Sequence, residues 1–371
     1  MKVLMQARIN LFSVPGGDTI QVQKTKAALE SLGVQADLSL ELQPRLENYD
    51  LVHIFNFTRI QETYVQAQNA FQHGKPILLS TIYWSFDEFE QRGQVGWRHS
   101  LNRYMDVNRI EYLKGLWRFV KDGERNLATM SLLRHGYRGL QHATLPVIDA
   151  FLPNSEIEMR VFCQDFGLDR TDLSYTVVPN GVDLAFGETP TIIADEVPEG
   201  SILCVARIET RKNQLSLLRA AKDLNVPLVF VGACAPNHRK YLEALRAEAD
   251  DNVIFLGRVD HDRLPAIYRK AQVHALVSWF ETPGLSSLEA GLSGCQVVVS
   301  DRGSTNEYFG DFAHFCDPGD IRSIRSALEA ALVAPRSHAL SNRIRANFTW
   351  EMAGERTLQA YRKVLACRQA P

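Results

Sequence analysis

Two hydrophobic rhythms alternate along this chain. From residue 200 onward, short unbroken runs of Val, Ile, Leu and Phe are followed by segments with apolar residues every three or four positions. The runs SILCVA (201–206), VPLVFVG (226–232), NVIFLGRV (252–259), VHALVSW (273–279) and QVVVSD (296–301) predict strands buried on both faces. Helix patterns lie between and after them: Asn213 to Leu224, with Leu215, Leu218 and Ala221 in phase, then 238–249, 263–271, LSSLEAGLSG (285–294) and Ile321 to Leu332. Strands that alternate with helices in this way form a parallel sheet joined by right-handed crossovers. The expectation is a doubly wound, Rossmann-like domain.

The first half opens with the same pattern. Strand KVLMQARI leads into a glycine-rich turn, VPGGD, and an amphipathic helix from Thr19 to Leu32 that Gly33 closes. Strands DLVHIF (50–55) and KPILLSTI (75–82) continue it, and DAFLPNS (149–155) predicts another. The fold class is therefore α/β, with two Rossmann-like domains in tandem and a boundary near YTVVPNGVDL (175–184). Residues 1–184 are expected to form the first domain and 185–347 the second. The amphipathic helix of FTWEMAGERTLQAYRKVL (348–365), within 348–371, is expected to cross back to the first domain.

Composition narrows the picture. At 371 residues the chain is too long for one ordinary core. Its formal net charge of -2 gives no whole-protein case for binding nucleic acid. Six cysteines are scattered without a C-x-x-C pair, which suggests neither a zinc site nor a redox motif, and fits a reducing cytoplasm. The start, MKVLMQARINLF, reads as a first strand rather than a signal peptide. No apolar run approaches the ~20 residues that span a bilayer.

Residues 92–145 break the rhythm with ten basic residues against four acidic ones, interleaved with Trp97, Tyr104, Tyr112, Trp117, Phe119 and Tyr137. Basic helices with aromatics suit an anionic membrane surface or a phosphate-bearing acceptor. The plainer alternative is an inserted helical segment with solvated basic faces. The first reading adds peripheral contact with the inner face of a membrane to the cytoplasmic expectation.

Candidate chemistry gathers at strand ends, where open α/β sheets bind ligands. After strand 273–279, Phe280 and Glu281 reach the edge, Pro283-Gly284 breaks the chain, and a helix starts near Leu285-Ser286-Ser287. Its unpaired amides and dipole make an anion site, with Glu289 one turn inside. The stretch ARIETRKNQ (206–214) sets Arg207, Arg211 and Lys212 at another strand-to-helix junction, a cluster suited to a pyrophosphate unless these are ordinary solvated charges. Gly17 would let a phosphate approach the first turn closely, although such turns need glycine for geometry alone. That turn is not G-x-G-x-x-G, which argues against a dinucleotide oxidoreductase.

Several motifs in this order resemble one family over essentially the whole chain: PGGDT, LPNSE (152–156), PNGVD (179–183), ARIETRKNQ, FLGRV (255–259), ETPGLSSLEA (281–290) and the FTWE helix. The chain resembles GT-B glycosyltransferases of glycosyltransferase family 4, whose signature is two glutamates separated by seven residues. The resemblance implies that Glu281 faces the donor sugar near its anomeric carbon. The amides of Gly284, Leu285, Ser286 and Ser287 would hold sugar hydroxyls and the diphosphate, and Glu289 the ribose. Arg207 and Lys212 would neutralise the leaving diphosphate without a metal or other cofactor. Gly17 would approach the phosphate from the other domain, and Arg258 and Val259 would contact the base. Transfer would retain anomeric configuration.

One departure from that family stands out. A histidine usual after strand 75–82 is replaced by Tyr83-Trp84, leaving His53 or Tyr83 as candidates on the acceptor side, with His53 equally readable as a structural strand histidine. Glu307 in STNE is a further phosphate-side candidate or a helix cap. The partners implied are a UDP- or GDP-sugar and a glycan or lipid-linked acceptor, in bacterial cell-surface polysaccharide synthesis such as O-antigen or capsule. A non-catalytic nucleotide-sugar-binding protein or an epimerase on the same architecture is the alternative. A hydrolase using both glutamates is disfavoured, because one lies in a loop and the other a turn into the following helix, and because it has no use for Arg207 and Lys212.

Overall fold

The structure, a computed structural model, describes residues 1–93, 112, 126–188, 194–335 and 337–369. The basic and aromatic residues of 94–111 and 113–125 lie outside the described residues. The chain divides into two compact units: Met1–Ser85, Ser100–Asn180 and Trp350–Pro371 in the first, Phe86–His99 and Gly181–Thr349 in the second. The described residues 86–93, expected in the first domain, thus group with the second. The reason is a set of side-chain contacts that sequence patterning does not report, described below.

The first unit runs β1 (Lys2–Gln6), α1 (Gly17–Ser31), β2 (Gln35–Ser39), β3 (Leu51–Phe55), α2 (Ile60–Gln72), β4 (Ile77–Ser80), α3 (Leu127–Thr144), β5 (Ala150–Phe151) and α4 (Glu156–Phe166). Its five strands are parallel, in the order β2-β1-β3-β4-β5. Leu4, Val52, Ile54, Ile77 and Leu79 form one face of the core, packed against Leu132, Met159 and Phe162. The strand expected over 149–155 stops after two residues. Pro153 offers no N–H to a ladder, and Ser155 caps α4 by accepting from the Glu158 amide at 2.9 Å.

The C-terminal helix, Trp350–Gln369, belongs to this unit and lies along α1. Gly354 permits the approach, since a Cβ there would fall 2.7 Å from the Ala28 methyl. The helix also contributes Tyr361, whose hydroxyl lies 2.7 Å from Nδ1 of His53.

The second unit runs β6 (Ile202–Val205), α5 (Gln214–Ala221), β7 (Leu228–Val231), α6 (Arg239–Glu248), β8 (Val253–Gly257), α7 (Leu264–Lys270), β9 (Val273–Leu276), α8 (Leu285–Leu292), β10 (Gln296–Ser300), α9 (Thr305–Phe309), β11 (His314–Cys316), α10 (Ile321–Val333) and α11 (Ala339–Asn347). The C-terminal helix is then α12. The sheet is parallel with the order β11-β10-β9-β6-β7-β8. Leu203, Val229, Val297 and Val299 pack under Tyr268 and Leu288, while Ile202, Phe230, Val273 and Val298 pack under Leu217, Leu245 and Leu328. Both faces are covered, which is why these strands read as continuous apolar runs. Burying each such side chain is worth roughly 1.5–3 kcal/mol.

The order of strands sets the site. The chain steps outward from β6 to β7 and β8, then returns to place β9 on the other side of β6. The loops leaving the carboxyl ends of β6 and β9 therefore diverge, opening the crevice that doubly wound sheets use for ligands.

Candidate functional site

The loop after β6 carries the basic motif. Gly232, at the end of β7 with φ +143, lets Ala206 pass so closely that any Cβ would overlap the Ala206 carbonyl. Residues Thr210–Lys212 make one 3-10 turn, and Asn213 follows in the left-handed region at φ 58. Asn213 is buried, and its side-chain amide donates to the carbonyls of Val277 at 3.2 Å and Pro318 at 2.8 Å, tying this loop to its neighbours. Asparagine tolerates that backbone conformation better than most residues.

The loop after β9 supplies Glu281. Its backbone pairs with Gly303, whose φ of +79 and missing side chain allow contact with the Glu281 backbone. The Ser304 amide donates to the Glu281 carbonyl at 2.8 Å. So held, Glu281 places Oε1 2.5 Å from Lys212 Nζ, with side-chain exposures of 8% and 13%. Burial raises the Glu281 carboxyl, but Lys212 and then Arg211 outweigh it and hold the group below the usual carboxylate range. Burial, opposed by Glu281, leaves the Lys212 ammonium below its ordinary value. The pair is a buried, compensated ion pair.

A second carboxylate shares this charge. Glu209 lies 3.4 Å from Arg207 and 3.0 Å from Arg211. Burial pushes it up, and Arg211, Arg207 and Lys212 together bring it below the usual range. Arg211 also covers the Phe280 ring at 5.1 Å and donates to the Phe280 carbonyl at 3.4 Å. Three cations thus face two buried carboxylates across the β6–β9 switch point, leaving one positive charge in excess.

The helix follows directly. Gly284, at φ 84, takes the left-handed conformation before α8, and its carbonyl accepts from the amides of Ser287 and Leu288. The amides of Leu285 and Ser286 precede the first intrahelical bond and have no acceptor within the helix. One turn on, Glu289 Oε2 accepts from the Tyr268 hydroxyl at 2.9 Å. Beneath, His274 on β9 is fully buried with neither ring nitrogen hydrogen-bonded, and burial lowers it to about 3.

The crevice therefore brings together Arg207, Lys212, Glu281 and Gly284 to Ser287, with Glu289 behind them. Arg258 is exposed and Val259 half-buried just past β8, at the edge of the sheet and two strands from β6. Gly17 is the first residue of α1 in the other unit, with open space where a Cβ would stand. Glu307 lies in the first turn of α9, three residues after its N-cap, Ser304.

His53 does not fit an acceptor-side role. It is buried, with Tyr361 on one nitrogen and Ser80 Oγ 2.9 Å from the other, and burial lowers it to about 3. Tyr83 packs among Phe57, Phe162 and Phe166 and donates to Asp165 at 2.8 Å.

Sequence reasoning did not single out Glu209, Asn213, Tyr268, His274 or Gly303. Glu209 was within reach, as an acid interposed between two arginines. The others depend on contacts between loops distant in sequence.

The fold is that of a GT-B protein, two Rossmann-like α/β units. Residues 193–347 match the family model described as Glycosyl transferases group 1, a span that covers the whole of the crevice just described. Among individual proteins, the chain is similar to glycogen synthase of Mycobacterium tuberculosis, at 31% identity over 198 residues covering 50% of this chain and 48% of that enzyme. It thus spans about half the length of that curated relative. Sucrose-phosphate synthase from Thermosynechococcus elongatus has a similar structure, with TM-score 0.71 and 18% identity over 99% of this chain and 100% of that one. So does HepE of Anabaena, solved in complex with UDP and glucose, with TM-score 0.67 and 15% identity over 97% and 99%. Among the described residues, no helix is long and apolar enough to cross a membrane.

Proposed function

We propose that this chain is a retaining glycosyltransferase of glycosyltransferase family 4, moving a sugar from a UDP- or GDP-sugar to a glycan or lipid-linked acceptor. The observation that carries the reading is the Lys212–Glu281 pair, set at the switch point of a matched glycosyl transferase domain and directly before the N-terminus of α8. A UDP- and glucose-bound structure among the similar folds supports a nucleotide sugar as donor.

In this reading the diphosphate lies along the first amides of α8, between Arg207 and Lys212. The bond from the anomeric carbon to the phosphate oxygen breaks and its electron pair leaves with the diphosphate. The two cations stabilise that developing charge, doing the work a metal does elsewhere. The acceptor hydroxyl bonds to the anomeric carbon on the same face and gives its proton to the departing oxygen. Glu281 faces the sugar, Glu289 the ribose, Arg258 and Val259 the base, and Gly17 approaches the phosphate. Bacterial surface polysaccharide is the proposed product, made in the cytoplasm, with 92–145 as the acceptor or membrane contact.

A thermal-shift screen against UDP, GDP, ADP and CMP and their sugars tests this. A ligand at 100 times its Kd is expected to add about 2.7 kcal/mol of stability. The active nucleotide sugar is then turned over with and without EDTA, and unchanged rates are expected. No shift with any nucleotide would overturn the donor assignment; loss of activity in EDTA restored by a divalent ion would overturn the metal-free mechanism.

A further inference from the structure

The segment Phe86–Gly93 precedes most of the first unit's helices in sequence, yet it is built into the second unit. Its last five residues, Phe89–Gly93, form one π-helical turn. The segment reaches four loops at the carboxyl edge of the sheet.

After β6, the turn Thr210–Lys212 packs against Phe89–Gly93. After β9, Gly93 lies flat against the buried indole of Trp279, and a Cβ there would fall 2.7 Å from both Cε2 and Nε1. Phe86 meets the Phe280 ring edge-on with centroids 5.1 Å apart, and Arg92 sits over the Trp279 ring at 5.8 Å. After β10, Arg302 donates twice to the Glu88 carboxylate, at 2.8 and 3.1 Å. After β11, the Arg92 guanidinium lies where a side chain on Gly319 would go.

These contacts converge on the residues just before Glu281. Trp279 and Phe280 are 6% and 7% exposed, and the Trp279 amide donates to the Arg211 carbonyl at 2.9 Å, one residue before Lys212. Trp279 therefore ties together the two loops that carry the members of the buried ion pair.

We infer that Phe86–Gly93 is a positioning strap: by gripping Trp279, Phe280 and Arg302 it sets the spacing of the Glu281 and Lys212 backbones, and so governs turnover rather than nucleotide affinity. The strap touches no reacting atom and acts through the two loops. Its effect on turnover rests on the transferase reading; its hold on the loops does not.

Two variants weaken it at different points. Glu88→Ala removes the grip of Arg302, and Gly93→Leu drives a side chain into the Trp279 indole. Hydrogen exchange is followed on peptides covering 210–214 and 279–285, beside peptides of β7 as a control for global unfolding. Both segments are expected to exchange faster in the variants while β7 does not. UDP affinity, by calorimetry, is expected to stay within about threefold. Nucleotide release from UDP-glucose, or from the GDP- or ADP-sugar that replaces it as donor, is expected to slow about tenfold to a hundredfold in kcat with KM little changed, the scale of a misplaced reacting group.

Wild-type exchange in both segments of a folded Glu88→Ala protein would overturn the strap. So would a loss confined to KM. If Gly93→Leu fails to fold, Glu88→Ala still decides. Failure of the wild type to bind any nucleotide would sink the transferase reading and leave the exchange result standing.

Discussion

Replacing Lys212 with alanine would remove the cation that lies 2.5 Å from Glu281, a carboxylate that is itself buried. Breaking a buried pair by deleting one partner costs about 3–5 kcal/mol, because the other charge is left uncompensated. Glu281 would then be governed by burial, opposed by Arg211 and a hydrogen bond from Ser278, and its pKa would rise from below the usual range toward or above it. The sign follows. In the wild type a depressed Glu281 contributes stability above the unfolded carboxyl value of 4.5, and that contribution fades as pH falls through the folded pKa. In Lys212→Ala the buried carboxyl prefers to be protonated, so the penalty is largest at neutral pH and shrinks in acid.

Urea unfolding of wild type and variant across pH 4.5 to 8 measures this. The gap is expected to be several kcal/mol at pH 8 and to narrow steadily toward pH 4.5. Lys212→Met combined with Glu281→Gln should recover most of the lost stability, since no uncompensated charge remains, yet stay inactive. Removing a donor to a developing anion costs about 10²–10³ in kcat. A gap that is independent of pH, or a double variant no more stable than Lys212→Ala, would refute the pairing argument. Full activity in the double variant would refute the phosphate role.

Further expectations concern the histidines and the Tyr268–Glu289 contact. His274 and His53 are both lowered to about 3, so each stays neutral in the fold while the unfolded chain protonates below 6.5; stability is fully present above 6.5 and is lost as pH falls toward 3. At pH 5 each accounts for a loss of about 2 kcal/mol, so His274→Leu should show a visibly shallower acid slope than wild type, and an unchanged slope would count against it. Glu289→Ala is expected to raise donor KM with little change in kcat, because ribose contacts are alike in ground and transition states. Tyr268→Phe, which frees Glu289 Oε2 from its 2.9 Å tie, should do the same more mildly, and a purely kcat effect in either would reverse the assignment.

The fold was legible because its signals are local. Continuous apolar runs such as VPLVFVG and QVVVSD are what a doubly covered sheet demands, and the glycine closing α1 and the Pro-Gly break before α8 mark element ends. The strand expected at 149–155 was cut short by Pro153 and the Ser155 cap, both present in the sequence but outweighed there by an apolar run. The sequence pattern does not single out α2, α4, α9 or α11, because many of their positions are polar or charged or, for α9, the helix is only five residues long. At the site, Arg207, Lys212, Glu281 and α8 could be placed from strand ends alone. Which cation meets which carboxylate could not: the pairing of Lys212 with Glu281 and of Arg207 and Arg211 with Glu209 is decided by loop backbones held through Asn213, Gly232 and Gly303.

The same geometry explains why so costly an arrangement is kept. A buried Lys–Glu pair is a weak source of stability, since well-packed apolar side chains would serve as well or better. Around Lys212, however, three cations are already paired with two carboxylates, so an incoming diphosphate meets cations that are in place before it arrives. Glu209 holds Arg207 and Arg211 in place before the ligand arrives, and Glu281 does the same for Lys212. On the transferase reading, long flexible cations are thereby ordered in advance, and the binding energy of the nucleotide need not be spent on fixing their rotamers.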